Sequence, residues 1–414
     1  MTISIEELLN IPHLRVTKVD YDQDQIECDV VSTRGYARCH QCGQKATEFF
    51  AQGEQVSLRH LPICGRQVRL RFHTKRYRCA HCSGCVTTTE RPSWSDAKGG
   101  YSQAFAEFLL LELVNSTVQD VARKHGVTYD VVRGVLQYYV RGEVDWGRFT
   151  TLRLLGLDEI SLLKGHGDFV TIVSAQDAAG KPHVLAVLKG REKQTVVTFL
   201  KTIPARLKKT IEEVCSDLYE GFLGAVEEVL PHARLVADRF HVTKLYRAAV
   251  DELRKVEMKE LKSLLPKEEF AHLKGVLWAL RKNGDDLEPE EKETLDLMFE
   301  CSPEIQQAYR FREQLTRLFD NEKHTKETGR QALRRWMTTV KNSGLTCFDK
   351  FLATLEHRMD IITNYFTHRT TSGWVEGLNN KIKVLKRRCY GLSNLPNLFR
   401  RIWLDLNGYD EFAH

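Results

Sequence analysis

Three apolar runs in this chain each carry an aspartate at or near their end. LRLLGLDEI holds Asp158, TIEEVCSD closes on Asp217, and HARLVADRF holds Asp238, which opens an Asp-x-x-His element with His241. Far along the chain, Glu376 stands near the head of WVEGLNNKIKVLKRR. Carboxylates brought together from distant segments offer hard oxygen donors of the kind magnesium takes. A second donor set is soft. CHQC (39–42) and CAHC (79–82) are two Cys-x-x-Cys pairs, with 37 positions from Cys42 to Cys79. Two such turns close a tetrahedron around zinc, and the predicted ligands are Cys39, Cys42, Cys79 and Cys82. Four thiolates leave no open coordination position, so this metal is expected to be structural. Cys85 repeats the spacing and can stand in for Cys82; Cys64, His60 and His81 are further candidates.

These donors need elements to hold them. Between the cysteine pairs, Val68, Leu70 and Phe72 alternate with Arg69, Arg71 and His73, which is strand periodicity and points to a small β-rich zinc ribbon. Within 101–140 the apolar spacing predicts a helix, then two more over 118–125 and 129–139. Ser116 or Thr117 caps the first of these, Thr128 the second, and Gly126 makes the turn between them. That is helix-turn-helix spacing, with Tyr129, Asp130, Arg133 and Gln137 offered to a major groove.

From Arg153 the texture changes to strand, strand, strand, helix, strand, helix, strand. That order, with Asp158 closing the first strand, is the ribonuclease H-like layout, in which the first and fourth strand ends lie side by side. Asp217 ends the fourth strand and becomes the partner of Asp158; Asp238 and His241 fall behind as accessory residues. The competing assignment puts Asp238 on the metal and leaves Asp217 as a helix cap. Beyond Val242 the period is helical and charged, an all-helical insertion. In the last segment Val375, Leu378, Ile382 and Leu385 mark a buried helix face, with Glu376, Asn380, Lys383 and Arg387 opposite. One acid heading a basic stripe suits a metal ligand beside DNA phosphates. The expected fold is multidomain α+β. Its parts are a zinc-binding ribbon (1–95), a helix-turn-helix domain (96–148) and the ribonuclease H-like core (149–245). The insertion (246–366) and the C-terminal part of the core (367–414) follow.

Composition narrows the partners. The chain has 414 residues, more than one ordinary core takes, and 42% hydrophobic content. Its net charge of +6 is unevenly spread: Gln55–Thr89 has seven Lys or Arg and no acid. Arg69, Arg71, Lys75 and Arg76 in that run, Arg133, and Lys383, Lys386, Arg387 and Arg388 near the C-terminus are the predicted DNA contacts. Lys164 and His166 are loop candidates for the same role. Of eleven Cys, seven lie in the first 85 residues, clustered as for metal rather than as a disulfide framework. Residues 1–15 carry no secretory pattern, and no stretch reaches the roughly 20 apolar residues of a membrane span. A cytoplasmic, nucleoid-associated protein with no membrane partner is expected.

Taken together, CHQC and CAHC, LGLDEISLLKGH, VCSDLYEGF, LPHARLVADRFHV and WVEGLNNKIKVLKRRCYGLSN resemble bacterial insertion-sequence transposases of the DDE type. The similar branch has an N-terminal zinc finger, a helix-turn-helix and a helical insertion in a ribonuclease H-like core. The resemblance implies an enzyme that binds terminal inverted repeats, nicks DNA and joins a 3′ hydroxyl to target DNA. It implies two magnesium ions, replaceable by manganese, held by Asp158, Asp217 and Glu376. It also implies a homodimer when two DNA ends are paired. The family usually carries Asn shortly before the catalytic Glu, where Thr371 and Ser372 stand here. The alternatives are a catalytically silent zinc-ribbon and helix-turn-helix regulator, or a plain nuclease.

Overall fold

The structure, a computed structural model, describes residues 4–95, 100–161, 169–370, 373–389 and 394–413; the Glu376 side chain is outside this set. Lys164, His166, Thr371, Ser372 and Tyr390 lie outside the described residues. The chain divides into two compact units, Met1–Gly142 with Arg400–His414, and Glu143–Phe399.

The first unit opens with α1 (Ile5–Leu9) and seven strands. They are β1 (Leu14–Tyr21), β2 (Gln25–Ser32), β3 (Ala37–Arg38), β4 (Lys45–Ala46), β5 (Glu48–Ile63), β6 (Arg66–Arg78) and β7 (Thr87–Thr89). One sheet runs β1-β2-β6-β5, with β7 added on β6. Strict alternation in β2 and β6 buries Ile26, Cys28 and Val30 beside Val68, Leu70 and Phe72. β2 and β6 pair in parallel, setting Glu27 opposite Arg69 and Asp29 opposite Arg71. Arg71, predicted to touch DNA, meets Asp20, Glu27 and Asp29 at 3.3, 2.7 and 2.8 Å, so three carboxylates already share its charge within the sheet.

Three helices follow: α2 (Gln103–Leu113), α3 (Val118–His125) and α4 (Tyr129–Tyr139). The last two have the bounds read from the sequence. Thr117, not Ser116, caps α3 by accepting Asp120 N–H at 3.0 Å, and Thr128 caps α4 through Val131 N–H at 3.3 Å. Gly126 takes φ 60° at the turn, where a Cβ would be strained. Tyr129, Asp130, Arg133 and Gln137 are exposed on α4, while Val132, Val135 and Leu136 are buried.

The final residues were expected to complete the core. Arg400–His414 instead belong to the first unit. Arg401 donates to Leu113 O (3.0 Å) and Ser116 O (2.7 Å), Asp405 accepts Asn115 N–H at 3.1 Å, and Leu404 is buried with α2–α4. A guanidinium satisfying carbonyls at the end of α2 ties this segment down by strong, charge-assisted bonds.

The second unit contains a five-stranded sheet. In chain order its strands are β8 (Leu154–Ser161), β9 (Phe169–Gln176), β10 (Pro182–Lys189), β11 (Glu213–Ser216) and β12 (Arg234–Ala237). In space they run β10-β9-β8-β11-β12. β8, β9 and β10 are antiparallel hairpin partners, and β8, β11 and β12 are parallel. Helices α5 (Lys193–Thr202) and α6 (Ala205–Lys208) lead into β11, with Pro204 between them, and α7 (Glu220–Val229) leads into β12. Val196, Val197, Leu200, Phe222 and Val226 cover the sheet from these crossovers. β8 runs three residues beyond Asp158, where the sequence reading ended it. β12 is shorter than expected because Asp238 already caps the next helix.

That helix, α8 (Arg239–Leu264), opens a helical block through α9 (Lys267–His272), α10 (Val276–Ala279), α11 (Pro289–Cys301), α12 (Pro303–Asp320), α13 (Lys326–Ser343), α14 (Asp349–Thr363) and α15 (Tyr365–His368). Its apolar core includes Val236 and Ala237, so the block grows directly from the edge strand. Its end is fastened too: His368 Nδ1 lies 2.6 Å from the buried Glu213 carboxylate, which also holds Arg234 and Thr370. Helix α16 (Gly373–Arg388) comes next, and α17 (Leu395–Phe412) carries the chain to its end. Among the described residues, no helix is long and apolar enough to cross a membrane.

Candidate active site and metal centre

Register brings the three aspartates together. Leu157 pairs with Ser216 across β8 and β11, and Ser216 pairs with Ala237 across β11 and β12. One step further along these parallel strands, Asp158, Asp217 and Asp238 form a row across the C-terminal ends of β11 and β12. Parallel neighbours lie about 4.8 Å apart, so the row sets three acids side by side.

Each acid has its own partners. Asp158 Oδ1 accepts Glu159 N–H at 2.8 Å, and Asp158 Oδ2 accepts the side-chain amide of Asn379. Asp217 Oδ1 accepts Tyr219 N–H at 3.0 Å ahead of α7. Asp238, 5% exposed, caps α8 through Phe240 N–H at 3.0 Å. His241 Nε2 stands 3.8 Å from Asp158 Oδ1 and 3.7 Å from Asp238 Oδ2, so it faces two of the three acids. Burial raises the Asp158 carboxyl to about 6, even though the Glu159 N–H favours its ionised form. Burial raises Asp217 as well. Carboxylates pushed up by desolvation and crowded by like charges are relieved by a divalent cation, and this donor set of hard oxygens suits one.

Glu159, the acid next to Asp158 in the chain, is already engaged. Arg191 Nη1 donates to its Oε2 at 3.0 Å, and the guanidinium lies over the Tyr219 and Phe169 rings at 4.8 and 5.1 Å. Neighbouring strand residues face opposite sides, which separates Asp158 from Glu159.

Helix α16 runs parallel to β8. Asn379 reaches Asp158, and Lys386 Nζ donates to Ser161 O at 2.7 Å. Val375, Leu378, Ile382 and Leu385 form its buried face as the periodicity predicted. Glu376 lies on α16 three residues before Asn379. Asn379 and Arg191 were missed by sequence reasoning. The first has a recoverable signal, since it lies four residues after Val375 and one after Leu378, beside the predicted buried face. Arg191 has none, because only folding brings it to Glu159. Lys386, predicted to touch DNA, is used to anchor α16; Lys383 and Arg387 are exposed.

The seat of α16 is Gly156, in LGLDEI. A Cβ there meets Val375 Cγ2 at 2.6 Å, Ser174 Oγ at 2.8 Å and Trp374 Cη2 at 3.0 Å. Gly156→Val is therefore expected to lower the stability of the second unit by about 1–3 kcal/mol through overpacking. Thermal unfolding measures it, and an unchanged midpoint would show that the helix seat yields freely.

The sulfur site lies in the first unit. Cys39 and Cys42 flank the β3–β4 turn, where Cys39 N–H donates to Gln44 O at 2.8 Å and Gly43 takes φ 73°. Cys79 and Cys82 sit in a matching turn, with Cys79 N–H donating to Val86 O at 2.9 Å. The four sulfurs lie within 4.8 Å of one another; among the described residues no other set of three or more His, Cys, Asp or Glu does so. Cys39–Cys82 and Cys42–Cys79 sulfur distances are 3.8 and 3.6 Å. A tetrahedron with metal–sulfur bonds of about 2.3 Å has edges of about 3.8 Å. The Cys42 and Gln41 amides hold the Cys39 thiol down at about 6, whereas the Cys42 sulfur pushes Cys82 up to about 12. Four thiolates oppose one another in this way until a cation joins them. Cys85 is exposed and outside the set, as is Cys64, and His60 is bonded to Ser102 Oγ at 2.7 Å.

Comparison with known proteins follows the same division. The ISL3 DDE family profile, described as a transposase, matches residues 155–402. The helix-turn-helix domain of transposase family ISL3 matches 90–140, and the zinc finger of transposases IS204/IS1001/IS1096/IS1165 matches 36–82. The chain is 27% identical over 365 residues to the transposase for insertion sequence element IS1001 of Bordetella parapertussis, covering 88% of this chain and 87% of that one. It is 25% identical over 392 residues to the transposase for insertion sequence element IS1557 of Mycobacterium tuberculosis (strain CDC 1551 / Oshkosh), covering 90% and 86%.

Proposed function

This chain belongs to the ISL3 family of transposases, and we propose that it cuts its own element at the terminal inverted repeats and joins the freed 3′ hydroxyl to target DNA. The observation that supports this most is the row of Asp158, Asp217 and Asp238 on three adjacent parallel strands, with the helix of Glu376 laid along β8. The strand order and the crossovers fit a ribonuclease H-like core, with the helical block from Arg239 to His368 as its insertion.

In this reading Asp158, Asp217 and Glu376 hold two magnesium ions, for which manganese can substitute. Magnesium held there would supply the charge that favours an attacking oxygen and stabilises a leaving one. Asn379 fixes the Asp158 carboxylate, and Asp238, at the outer end of the row, acts with His241 to orient Asp158, as outer partners do at metal sites. Lys386 holds α16 in place so that exposed Lys383 and Arg387, with Arg388, line the path of the DNA backbone. Arg133 on α4 reads the ends, and Arg69, Lys75 and Arg76 add phosphate contacts from the sheet. The four cysteines hold a structural zinc ion. Two copies pair when two ends are brought together.

The test is cleavage. Purified protein with magnesium and a duplex carrying its element ends should release a nicked product with a 3′ hydroxyl at the end junction. Binding without cleavage in either magnesium or manganese would overturn the enzyme reading in favour of a silent regulator.

A further inference from the structure

A cleft of about 770 Å³ opens beside the zinc knuckles. Its walls come from two segments, 34–40 and 87–91, and bring Arg34, Arg38 and Arg91 to one place. Among the described residues no carboxylate comes within 4 Å of any of these three guanidiniums. The one acid in the lining, Glu90, is 3% exposed and turned inward, where it accepts Ser32 Oγ at 2.5 Å. Arg38 and Arg91 are exposed and Arg34 is half-buried, so with their one acidic neighbour withdrawn they make a positive concavity that attracts an anion.

The cleft is built rather than incidental. Buried Tyr77 donates its hydroxyl to Arg34 O at 3.1 Å. The ring of His40 meets Thr88 Oγ1 at 3.0 Å, joining one wall to the other. Arg38 and His40 flank Cys39, so the metal knuckle positions both. Tyr36 stands in the lining with Arg34 and Lys45 over its ring at 5.6 and 4.6 Å. Guanidiniums present fork-like donors that match phosphate oxygens, and an aromatic ring beside them suits a sugar or base.

We infer that this cleft seats the phosphate backbone of a DNA strand, with Arg34, Arg38 and Arg91 as sequence-independent phosphate contacts. The inference rests on the DNA-acting reading above. It adds a contact surface outside both the α3–α4 helix pair and the basic run of β6.

The experiment uses the full chain and fluorescence anisotropy over a salt series, with an element-end duplex and an unrelated duplex. Arg38→Ala with Arg91→Ala should weaken both duplexes by a similar factor, about 10- to 100-fold at 0.1 M salt. The slope of log K against log salt should flatten by about 1.8, or 0.9 for each lost contact. Zinc content equal to wild type confirms that the knuckle is intact, and Arg38→Lys with Arg91→Lys should recover the slope. Unchanged affinity and slope in the alanine variant, with wild type still binding, overturns the cleft alone. If inorganic phosphate binds wild type but not the variant while both bind DNA equally, the cleft is a small-anion site and the strand is excluded. Wild type that binds neither duplex brings down the DNA-acting reading itself.

Discussion

Asp217→Asn is expected to abolish end cleavage, by about a thousandfold or more, while binding of end DNA stays within about twofold. If Asp217 holds metal as proposed, losing that carboxylate would remove several kcal/mol of charge stabilisation, which is the scale of that loss. The substitution separates two roles. An asparagine side-chain oxygen accepts a hydrogen bond as a carboxylate oxygen does, so the bond from Tyr219 N–H survives. Burial already raises the Asp217 carboxyl, so its ionised form costs stability in the metal-free protein. The amide variant should therefore unfold no earlier than wild type at neutral pH. Asp238→Asn gives the contrast. Asp238 caps α8 and faces His241, and loss of such an outer partner reduces activity about 10- to 100-fold. An active Asp217→Asn beside a dead Asp238→Asn would exchange the two roles.

Removing zinc is expected to be the second large effect. Chelation, or Cys42→Ser, should release one zinc per chain and unfold the knuckles of β3 and β4. Their own apolar core is small: Ala37, Cys39, Ala46, Tyr77 and Cys79. Apparent zinc contributions of about 10 kcal/mol dwarf what so few side chains bury. The loss should be local. The β1-β2-β6-β5 sheet and the α2–α4 bundle keep separate cores around Leu70 and Leu109. Circular dichroism should change little, while DNA affinity falls as Arg38 and His40 lose their support. Cys85→Ser should keep a full zinc complement. If it loses zinc while Cys82→Ser keeps it, the fourth ligand is Cys85.

Short-range chemistry was legible in the chain. The two Cys-x-x-Cys pairs, the caps and turn at Thr117, Gly126 and Thr128, and the strand alternation of Val68, Leu70 and Phe72 all depend on neighbours a few positions away. Spacing and residue type are sufficient there, because a turn or a helical face is a local object. The acid row was legible in part: the strand order placed Asp217 beside Asp158, and it left Asp238 one strand further out. That Asp238 joins the same row, with His241 between it and Asp158, follows from parallel register, which no local pattern states.

Tertiary structure alone decided how long-range charges are paired. Arg71 and Arg69 are equivalent in the sequence, two residues apart on one strand face. Parallel pairing with β2 surrounds Arg71 with Asp20, Glu27 and Asp29. Arg34, Arg38 and Arg91 looked unremarkable in a chain rich in arginine until folding set two distant segments around one cleft. Asn379 and Arg191 reached the acids in the same way, and Arg400–His414 joined the helix-turn-helix unit through Arg401. Sequence by itself determined which donors exist and which local turn, strand or helix presents each one. The structure determined which charges meet, because electrostatic pairing depends on distance in space, and separations of 32 to 290 positions collapse to a few ångströms only on folding.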